Sequence, residues 1–344
     1  MSNPFTLTFG KLPTEYIVRH ENIGEIKDAF NDNPARCQTY LIRGVRGSGK
    51  TVLMTAIAKE LCEDNQWVGV DLNSTTNLID EFANRLMDAC KNKGNILDRG
   101  FDFSIAGFGL GIGSREDRDS VSKCESLLEI LKKKKKKVLI TIDEVNNDIS
   151  MKQFASQFQI WIRKDYPIYL IMTGLYEHID AIQNNPQLTF LLRSPKISLE
   201  PLGISQITRQ YKSILSVSSD EAMILAKITK GYAFAFQALG MLIWEEDNLG
   251  SLDAVMEKLE DLLDEYVYRR IWNDLSERDR EIVINMPYSG SIKTSEICEK
   301  AGMTTQVFSK YRERLINKGI IQSNGHGYVE FALPRFGEVC RLYA

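Results

Sequence analysis

The spacing of hydrophobic and polar positions divides the chain into regions of different periodicity. In roughly the first 200 residues, short apolar runs rich in β-branched and aromatic residues predict strands at 38–43, 66–72, 138–143 and 167–175. Amphipathic segments follow the first two runs and predict helices. Residues 203–273 are helical throughout in pattern, with an apolar stripe formed by Val255, Leu259, Leu262 and Leu263. A mixed α/β region is therefore expected before an all-helical one.

The pattern changes again near the C-terminus and predicts three helices followed by a β-hairpin. Ser276 and Asp279 form a helix-capping signature, two further helices meet at Gly302, and the hairpin is expected to turn around Asn324 and Gly325. This order is typical of a winged helix-turn-helix, whose second paired helix enters the major groove of DNA. The exposed candidates for contact with double-stranded DNA are Gln306, Ser309, Lys310, Arg312 and Arg314. The residues expected to face the core are Val307, Tyr311 and Leu315.

Charge gives this DNA-binding prediction only modest support. Residues 275–344 contain ten Lys and Arg against eight Asp and Glu, a net charge of +2 in a chain whose formal net charge is −3. A strong electrostatic footprint for nucleic acid would be more basic. Winged helices also serve as protein-docking modules, so both DNA and a protein partner stay open as ligands.

Cysteine usage and hydropathy indicate the expected compartment. The six cysteines are spread singly and the three histidines lie far apart, which argues against a zinc site and fits a reducing cytoplasm. The N-terminus lacks the basic and apolar regions of a signal peptide. The longest apolar run, residues 232–244, is too short for a membrane span and predicts a buried helix. A cytoplasmic protein without membrane contact is expected.

A glycine-rich turn between a predicted strand and a predicted helix carries the clearest chemical signal. Residues 44–51, GVRGSGKT, satisfy the pattern G-x-x-x-x-G-K-[ST] of a phosphate-binding loop (P-loop). Its glycines let backbone N–H groups surround a phosphate, and the following helix N-terminus adds partial positive charge. Lys50 is expected to contact the β- and γ-phosphates of ATP, and Thr51 to hold Mg²⁺. The predicted nucleotide-binding residues here are Gly44, Val45, Arg46, Gly47, Ser48, Gly49, Lys50, Thr51 and Val52.

Two later strands end in residues suited to ATP hydrolysis. Asp143 ends the strand at 138–143, and an acidic residue at this place supports Mg²⁺ in P-loop proteins. Glu144 is suited to polarise the attacking water as a general base. Thr173 closes the next strand and is expected to orient that water or contact the γ-phosphate. Because a kinase must exclude water, the acid pair favours a hydrolase.

The order of these motifs resembles the AAA+-related ATPases of archaea and bacteria, near the origin-recognition initiators and the STAND signalling NTPases. The matching segments are YIVRHENIGEIKDAF, the P-loop, VLITIDEV, YLIMTGL, LLRSPKISLEPLG and the winged-helix pattern. The resemblance implies an α/β P-loop NTPase core whose parallel sheet has an added strand, then a helical lid and a winged helix-turn-helix. The implied domains are 1–201, 202–273 and 274–344.

The resemblance also implies roles for residues outside these motifs. Ile17 and Val18 would contact adenine, with Arg19 nearby; the alternative is an apolar anchor before an ordinary helix. Arg193 falls where relatives carry an arginine finger, which would act on the ATP of a neighbouring subunit and implies a homo-oligomer. The alternative for Arg193 is a surface ion pair.

The lid sequence departs from that of the relatives. They often carry Gly-x-Pro or an arginine at this point, whereas here Gly231 is followed by Tyr232 and Ala233, and Lys230 is the nearest cation. Weak coupling between the lid and the γ-phosphate, and slow hydrolysis, are therefore expected.

Two segments of biased composition are predicted to be structural. The glycine spacing within residues 100–113 does not match G-x-G-x-x-G and favours an inserted hairpin over a subunit or substrate contact. Residues 132–137 are six lysines at a predicted helix C-terminus, where they complement the helix dipole. A solvated helix end is therefore favoured over a nucleic-acid patch.

Together these features predict an ATPase whose nucleotide state controls DNA binding through the winged helix. The alternative is a slowly hydrolysing, STAND-like switch or scaffold whose winged helix docks a protein. Glu144 and Arg193 favour the first function, and the altered lid sequence keeps the second open. Turnover that rises steeply with protein concentration would support the first.

Overall fold

The computed structural model describes residues 2–8, 10, 12–92, 119–245 and 252–343. They form two compact units. The sheet unit comprises Arg19–Arg43 and Leu53–Ser198, and the lid unit comprises Met1–Val18, Gly44–Val52 and Leu199–Ala344. The predicted domain boundaries at 201/202 and 273/274 stay predictions, and the hairpin predicted at residues 100–113 lies outside the described residues.

The described residues of the sheet unit form one sheet of five parallel strands, ordered β2-β3-β4-β1-β5. The strands are β1 (Thr39–Arg43), β2 (Trp67–Asn73), β3 (Lys137–Asp143), β4 (Ile168–Gly174) and β5 (Lys196–Ser198). The helices are α1 (His20–Asn31), α2 (Lys50–Cys62), α3 (Leu78–Asn92), α4 (Ser120–Lys133), α5 (Ile149–Arg163), α6 (Tyr176–Gln183) and the 3-10 segment Pro186–Arg193. Strand β4 lies between β1 and β3 and is the added strand that the resemblance implied.

The apolar runs become strands because the sheet is covered by helices, so that both faces need apolar residues. Ile140 of β3 and Leu170 of β4 are fully buried. They belong to one hydrophobic cluster with the aromatic residues Phe82, Phe154 and Trp161 of helices α3 and α5. Burial of these large side chains stabilises the sheet unit, at about 1.5–3 kcal/mol for each apolar side chain.

Within the lid unit, the described part of the region predicted to be helical, residues 203–273, is indeed helical. Its helices are α7 (Ile204–Leu215), α8 (Ser219–Ile228), α9 (Ala233–Glu245), α10 (Leu252–Leu263) and α11 (Arg269–Asn273), with a π-helical turn at Asp264–Tyr268. Helix α9 contains most of the longest apolar run and is largely buried. Phe5 packs edge-on against Tyr211 and Phe236, which ties the N-terminal segment to this helical layer. Across the described residues, no helix has both the length and the apolar character needed to cross a membrane.

The C-terminal part of the lid unit has the predicted three helices and hairpin. Its elements are α12 (Glu277–Asn285), β6 (Ile292–Lys293), α13 (Thr294–Lys300), α14 (Thr305–Asn317), β7 (Ile321–Ser323), β8 (Tyr328–Phe331), α15 (Phe336–Cys340) and a 3-10 turn at Arg341–Tyr343. Ser276 and Asp279 form the expected capping box at the start of α12. Strands β7 and β8 pair antiparallel, and the sheet order is β6-β8-β7.

The core face predicted for α14 is partly wrong. Val307 is 46% exposed, and the next residue, Phe308, is buried instead. Tyr311 packs against the core and Leu315 is fully buried, as expected. Phe308, Tyr311 and Leu315 are spaced i, i+3, i+7, which keeps side chains on one face of a helix better than repeated steps of four.

The last two lysines of the run at 132–137 donate to backbone carbonyls of the chain. Lys136 Nζ donates to the carbonyl of Asn65 at 2.7 Å, and Lys137 Nζ donates to that of Phe30 at 3.0 Å. Lys137 also lies over the rings of Trp67 and Tyr169, with Nζ 5.0 and 5.5 Å from the centroids. Both lysines lie beyond the end of α4 at Lys133, so the predicted role of the run as a solvated helix end stays a prediction.

Candidate nucleotide-binding site

The P-loop has the backbone form that its glycines predict. Gly47 and Gly49 have φ angles of +70° and +91°, a region that other residues enter at a cost. Helix α2 begins at Lys50, directly after the turn. Ser48 is 7% exposed, and its Oγ has no hydrogen-bond partner among the described residues. The turn therefore presents a buried hydroxyl and a helix N-terminus in one place.

The Lys50 ammonium lies within the loop that precedes it. Its Nζ donates to the carbonyls of Gly44 and Val45 at 3.1 and 2.9 Å, and the residue is 9% exposed. A buried cation is stabilised by such oxygens and by an anion placed beside it. This position is suited to phosphate.

The lid helices contact the outer side of the P-loop. The Tyr232 hydroxyl donates to the Arg46 carbonyl at 2.6 Å, and the Phe234 N–H at the start of α9 donates to the Gly47 carbonyl at 3.0 Å. A Cβ at Gly47 would lie 2.3 Å from the Tyr232 hydroxyl oxygen, so no larger residue fits there without movement. Two consecutive carbonyl groups of the P-loop are thus bound by the lid.

The C-terminal helices of the lid unit also reach the P-loop. The Arg46 guanidinium lies 3.5 Å from the Asp274 carboxylate. Lys318, at the C-terminus of α14, donates to the Asp274 carbonyl at 3.1 Å. A Cβ at Gly319 would lie 2.2 Å from Val45 Cγ1, so Val45 packs directly on the turn that follows α14. The end of α14 is therefore in contact with the start of the P-loop.

In the sheet unit, the ends of β3 and β4 bring three predicted residues together. The Thr173 hydroxyl donates to Asp143 Oδ1, and the Glu144 N–H lies 3.0 Å from the same carboxylate oxygen and 3.3 Å from Thr173 Oγ1. Thr173 is fully buried, whereas Glu144 is exposed and has a φ of +50°. This group is called the acidic edge below.

The register of the sheet explains why these residues meet. Ile142 pairs with Met172, so Asp143 and Thr173 are the next residues on adjacent strands. Thr173 in turn pairs with Ile42 of β1, two residues before the P-loop begins. In a parallel sheet the carboxyl ends of all strands lie at one edge. β1 therefore ends at the same edge as the acid pair.

The residues predicted to contact adenine are at least partly buried, whereas the predicted arginine finger is exposed. Ile17 packs against the hydrophobic cluster of the lid unit, and the Glu15 carbonyl, two positions earlier, accepts a hydrogen bond from the Gln237 side chain of α9 at 2.6 Å. Val18 and Arg19 are partly buried. Arg193 is exposed at the end of the 3-10 segment and has no ion pair or hydrogen bond within the described residues.

The predicted DNA-contacting residues of α14 do not share one environment. Gln306, Ser309 and Lys310 are exposed. Arg312 is partly buried and donates to Ser323 Oγ at 2.6 Å.

Arg314 is exposed as predicted, and it also makes contacts within the fold; its contact with DNA stays a prediction. Its guanidinium pairs at 2.6 Å with the carboxylate of Asp279, which is 1% exposed, and stacks on the Tyr311 ring at 4.7 Å. A buried carboxylate without a counter-ion is strongly destabilising, so the Arg314 guanidinium also stabilises the fold.

Comparisons with known proteins agree with this architecture. The family model described as Domain of unknown function (DUF8462) matches residues 265–338. No curated protein matches the sequence. The structure of ORC2 from Aeropyrum pernix in its ADPNP–ADP complexes is 13% identical, with coverage of 97% of this chain and 96% of that chain and a TM-score of 0.62. Its ADP form has the same identity and coverage and a TM-score of 0.54.

The chain has the AAA+ fold. The expected α/β P-loop NTPase core with its parallel sheet is thereby confirmed. A STAND protein with a tetratricopeptide repeat sensor from Pyrococcus horikoshii is 16% identical, with coverage of 98% of this chain, 44% of that chain and a TM-score of 0.42.

Within the AAA+ fold, sequence reasoning missed the residues that hold the P-loop from outside. The sequence marks Tyr232 only as a departure from the lid pattern of the relatives, and it contains no signal for Asp274 or Gly319. Their partners are far away in sequence; Tyr232 and Arg46, for example, are 186 positions apart. The one available signal was the tyrosine directly after Gly231.

Proposed function

We propose that the chain binds and hydrolyses ATP and that its nucleotide state controls DNA binding by the C-terminal helices. The observation that carries this proposal is the contact of Val45 and Arg46 with the residues around the C-terminus of α14. A change in the P-loop on binding or releasing phosphate alters these contacts. The same helix carries the exposed residues proposed to reach DNA.

The residues of the P-loop fit a nucleotide triphosphate. Lys50 contacts the β- and γ-phosphates, since its ammonium is already held within the loop by two carbonyl groups. The unpartnered Ser48 hydroxyl and the N-terminus of α2 add donors for phosphate oxygens. Ile17 and Val18, with Arg19 nearby, contribute to the adenine pocket.

Mg²⁺ fits the oxygen donors that the chain supplies. The Thr51 hydroxyl and the Asp143 carboxylate are the groups that would hold the ion, because Mg²⁺ prefers a few hard oxygen ligands together with phosphate oxygens. When bound, the ion neutralises charge on the β- and γ-phosphates during phosphoryl transfer.

Hydrolysis depends on the acidic edge. The exposed Glu144 carboxylate accepts a proton from the attacking water. Thr173 donates to Asp143, which keeps that carboxylate oriented, and senses the γ-phosphate. Arg193, exposed and unpaired in the described residues, serves as the finger for a neighbouring subunit in a homo-oligomer.

The proposed DNA face consists of Gln306, Ser309, Lys310, Arg312 and Arg314 of α14, of which Arg314 also pairs with Asp279. An exposed amide and hydroxyl are suited to base edges, and an exposed lysine is suited to phosphate. The net charge of +2 for residues 275–344 predicts moderate affinity that depends on salt.

A second function is a nucleotide-gated switch that hydrolyses ATP slowly and docks a protein through the same helices. It is favoured by Val307, an apolar side chain that is 46% exposed between the proposed DNA contacts. It shares the nucleotide site and differs only in the ligand of α14.

The deciding experiment measures duplex-DNA binding by fluorescence anisotropy with the Glu144→Gln variant, which keeps ATP bound because the general base is lost. Its hydrolysis rate is expected to fall about 100-fold or more while ATP affinity is retained. DNA binding is measured with ATP and with ADP across a salt series. The Lys310→Ala variant is compared with Lys300→Ala, an exposed lysine outside α14.

Tighter DNA binding with ATP, weakened by salt and by Lys310→Ala but not by Lys300→Ala, supports the proposal. Removal of one phosphate contact should lower the salt slope by about 1. If DNA does not bind in either nucleotide state, the DNA function is excluded and the switch takes its place. If ATP itself does not bind, both functions are excluded.

A further inference from the structure

We propose that Tyr232 is a positioning residue for phosphate binding: from the lid, it orients the peptide groups of the P-loop that face the nucleotide. This inference rests on the proposed nucleotide site. It also assigns a role to the point at which the lid departs from the Gly-x-Pro pattern.

The argument starts from the planarity of the peptide bond. In a trans peptide the C=O and N–H groups point in opposite directions, so fixing one fixes the other. The Arg46 carbonyl is bound by the Tyr232 hydroxyl at 2.6 Å. The Gly47 N–H, which shares that peptide group, therefore points away from the lid and towards the interior of the turn.

The next peptide group is held in the same way. The Gly47 carbonyl accepts the Phe234 N–H at 3.0 Å, so the Ser48 N–H is directed to the inner side, where it donates to the Val45 carbonyl at 3.3 Å. Successive N–H groups turned to one side form an anion-binding concavity. The lid thus orients two adjacent peptide groups of the turn in advance of phosphate binding, which reduces the entropy cost of binding.

The Tyr232 hydroxyl is well suited to this role. The residue is 5% exposed, and its ring stacks on Tyr268 with centroids 6.4 Å apart, so the hydroxyl has little freedom. Burial raises the pKa of Tyr232 well above its ordinary value, and the hydroxyl therefore keeps its proton and remains a donor at neutral pH.

Neighbouring contacts keep the lid close to the turn. A Cβ at Gly49 would lie 3.6 Å from the Ala233 Cβ, an ordinary packing distance. A Cβ at Gly47 would collide with the Tyr232 hydroxyl. The contact therefore needs both Tyr232 in the lid and a glycine at position 47 of the P-loop.

The test compares Tyr232→Phe with Tyr211→Phe. Each substitution removes only a hydroxyl that donates to a backbone carbonyl in the lid unit, to Arg46 at 2.6 Å and to Phe236 at 2.7 Å respectively. Both tyrosines are buried, so a similar loss of thermal stability is expected for both. Only Tyr232 contacts the P-loop.

Affinities for ATP, ADP and inorganic tripolyphosphate are measured by calorimetry with Mg²⁺ present. For Tyr232→Phe all three are expected to fall by a similar factor, about fivefold to tenfold, because the lost contact orients phosphate donors and not a base-binding group. KM for ATP rises accordingly and kcat stays within about twofold. Tyr211→Phe is expected to leave all three affinities unchanged.

Two results would overturn the inference. If Tyr232→Phe lowers the melting temperature as Tyr211→Phe does but binds all three ligands like the parent protein, the tyrosine has a structural role only. If ATP affinity falls and tripolyphosphate affinity does not, Tyr232 acts on the base or ribose and not on the P-loop donors. A parent protein that binds no nucleotide would reject the proposed function itself, and this inference with it.

Discussion

The P-loop of the lid unit and the acidic edge of the sheet unit are held in place by different kinds of contact. The acidic edge is ordered by strand register, since Asp143 and Thr173 end neighbouring strands and are 30 positions apart. The P-loop turn is ordered by residues 186 or more positions away, among them Tyr232, Asp274 and Gly319. Strand register therefore positions the acidic edge, whereas packing against distant segments of the chain supports the P-loop.

The largest expected effect is a loss of ATP affinity, and it tests the P-loop separately from the acidic edge. Lys50→Ala is expected to lower ATP affinity about 100-fold, because a charge-assisted contact to phosphate is lost. Calorimetric titration with ATP measures this. The matched control is Lys59→Ala, an exposed lysine on the same helix, which should bind ATP like the parent protein. Similar affinities for the two variants would contradict the assignment of Lys50.

The second prediction tests the acidic edge alone. Thr173→Val has nearly the same shape but cannot donate to Asp143, so we expect hydrolysis to fall about tenfold while ATP affinity changes less than about twofold. Single-turnover hydrolysis measures the rate. Thr173→Ser retains the hydroxyl and should recover most of it. A Ser variant as slow as the Val variant would argue against the hydrogen bond and in favour of packing.

The smallest expected effect concerns the ion pair of Arg46 with Asp274. The Asp274 side chain is 45% exposed and the charges are 3.5 Å apart, so Asp274→Asn is expected to change the free energy of unfolding by about 0.5 kcal/mol or less. Chemical denaturation of Asp274→Asn, Arg46→Gln and the double variant gives the coupling energy. A coupling above about 1.5 kcal/mol would mean that this pair, and not Tyr232, is the main support of the P-loop.

Much of the fold and of the motif geometry could be predicted because their determinants are local. β-branched runs predicted β1, β3 and β4 within one or two residues of their observed ends. The P-loop pattern predicted helix α2 and left-handed glycines, because phosphate-binding turns need both. The adjacency of Thr173 and Asp143 then follows from the parallel pairing of β4 with β3.

The remaining features depend on which surfaces meet, and spacing alone does not determine this. Arg314 is exposed as predicted, but its ion pair with Asp279, 35 positions earlier, could not be read from the spacing of α14. Val307 and Phe308 are adjacent apolar residues on α14, and Phe308 is the one that is buried in the core. In the same way, Tyr232 gave no sign of its contact with Arg46 until the lid was folded.

The left-handed backbone at Glu144 has a consequence for protein engineering. A φ of +50° costs a non-glycine residue about 1 kcal/mol or more, and glycine would adopt it freely. A library selected only for heat resistance should therefore enrich glycine at this position. Its most stable members would have lost the proposed general base, so a thermostability ranking would run opposite to an activity ranking at this residue.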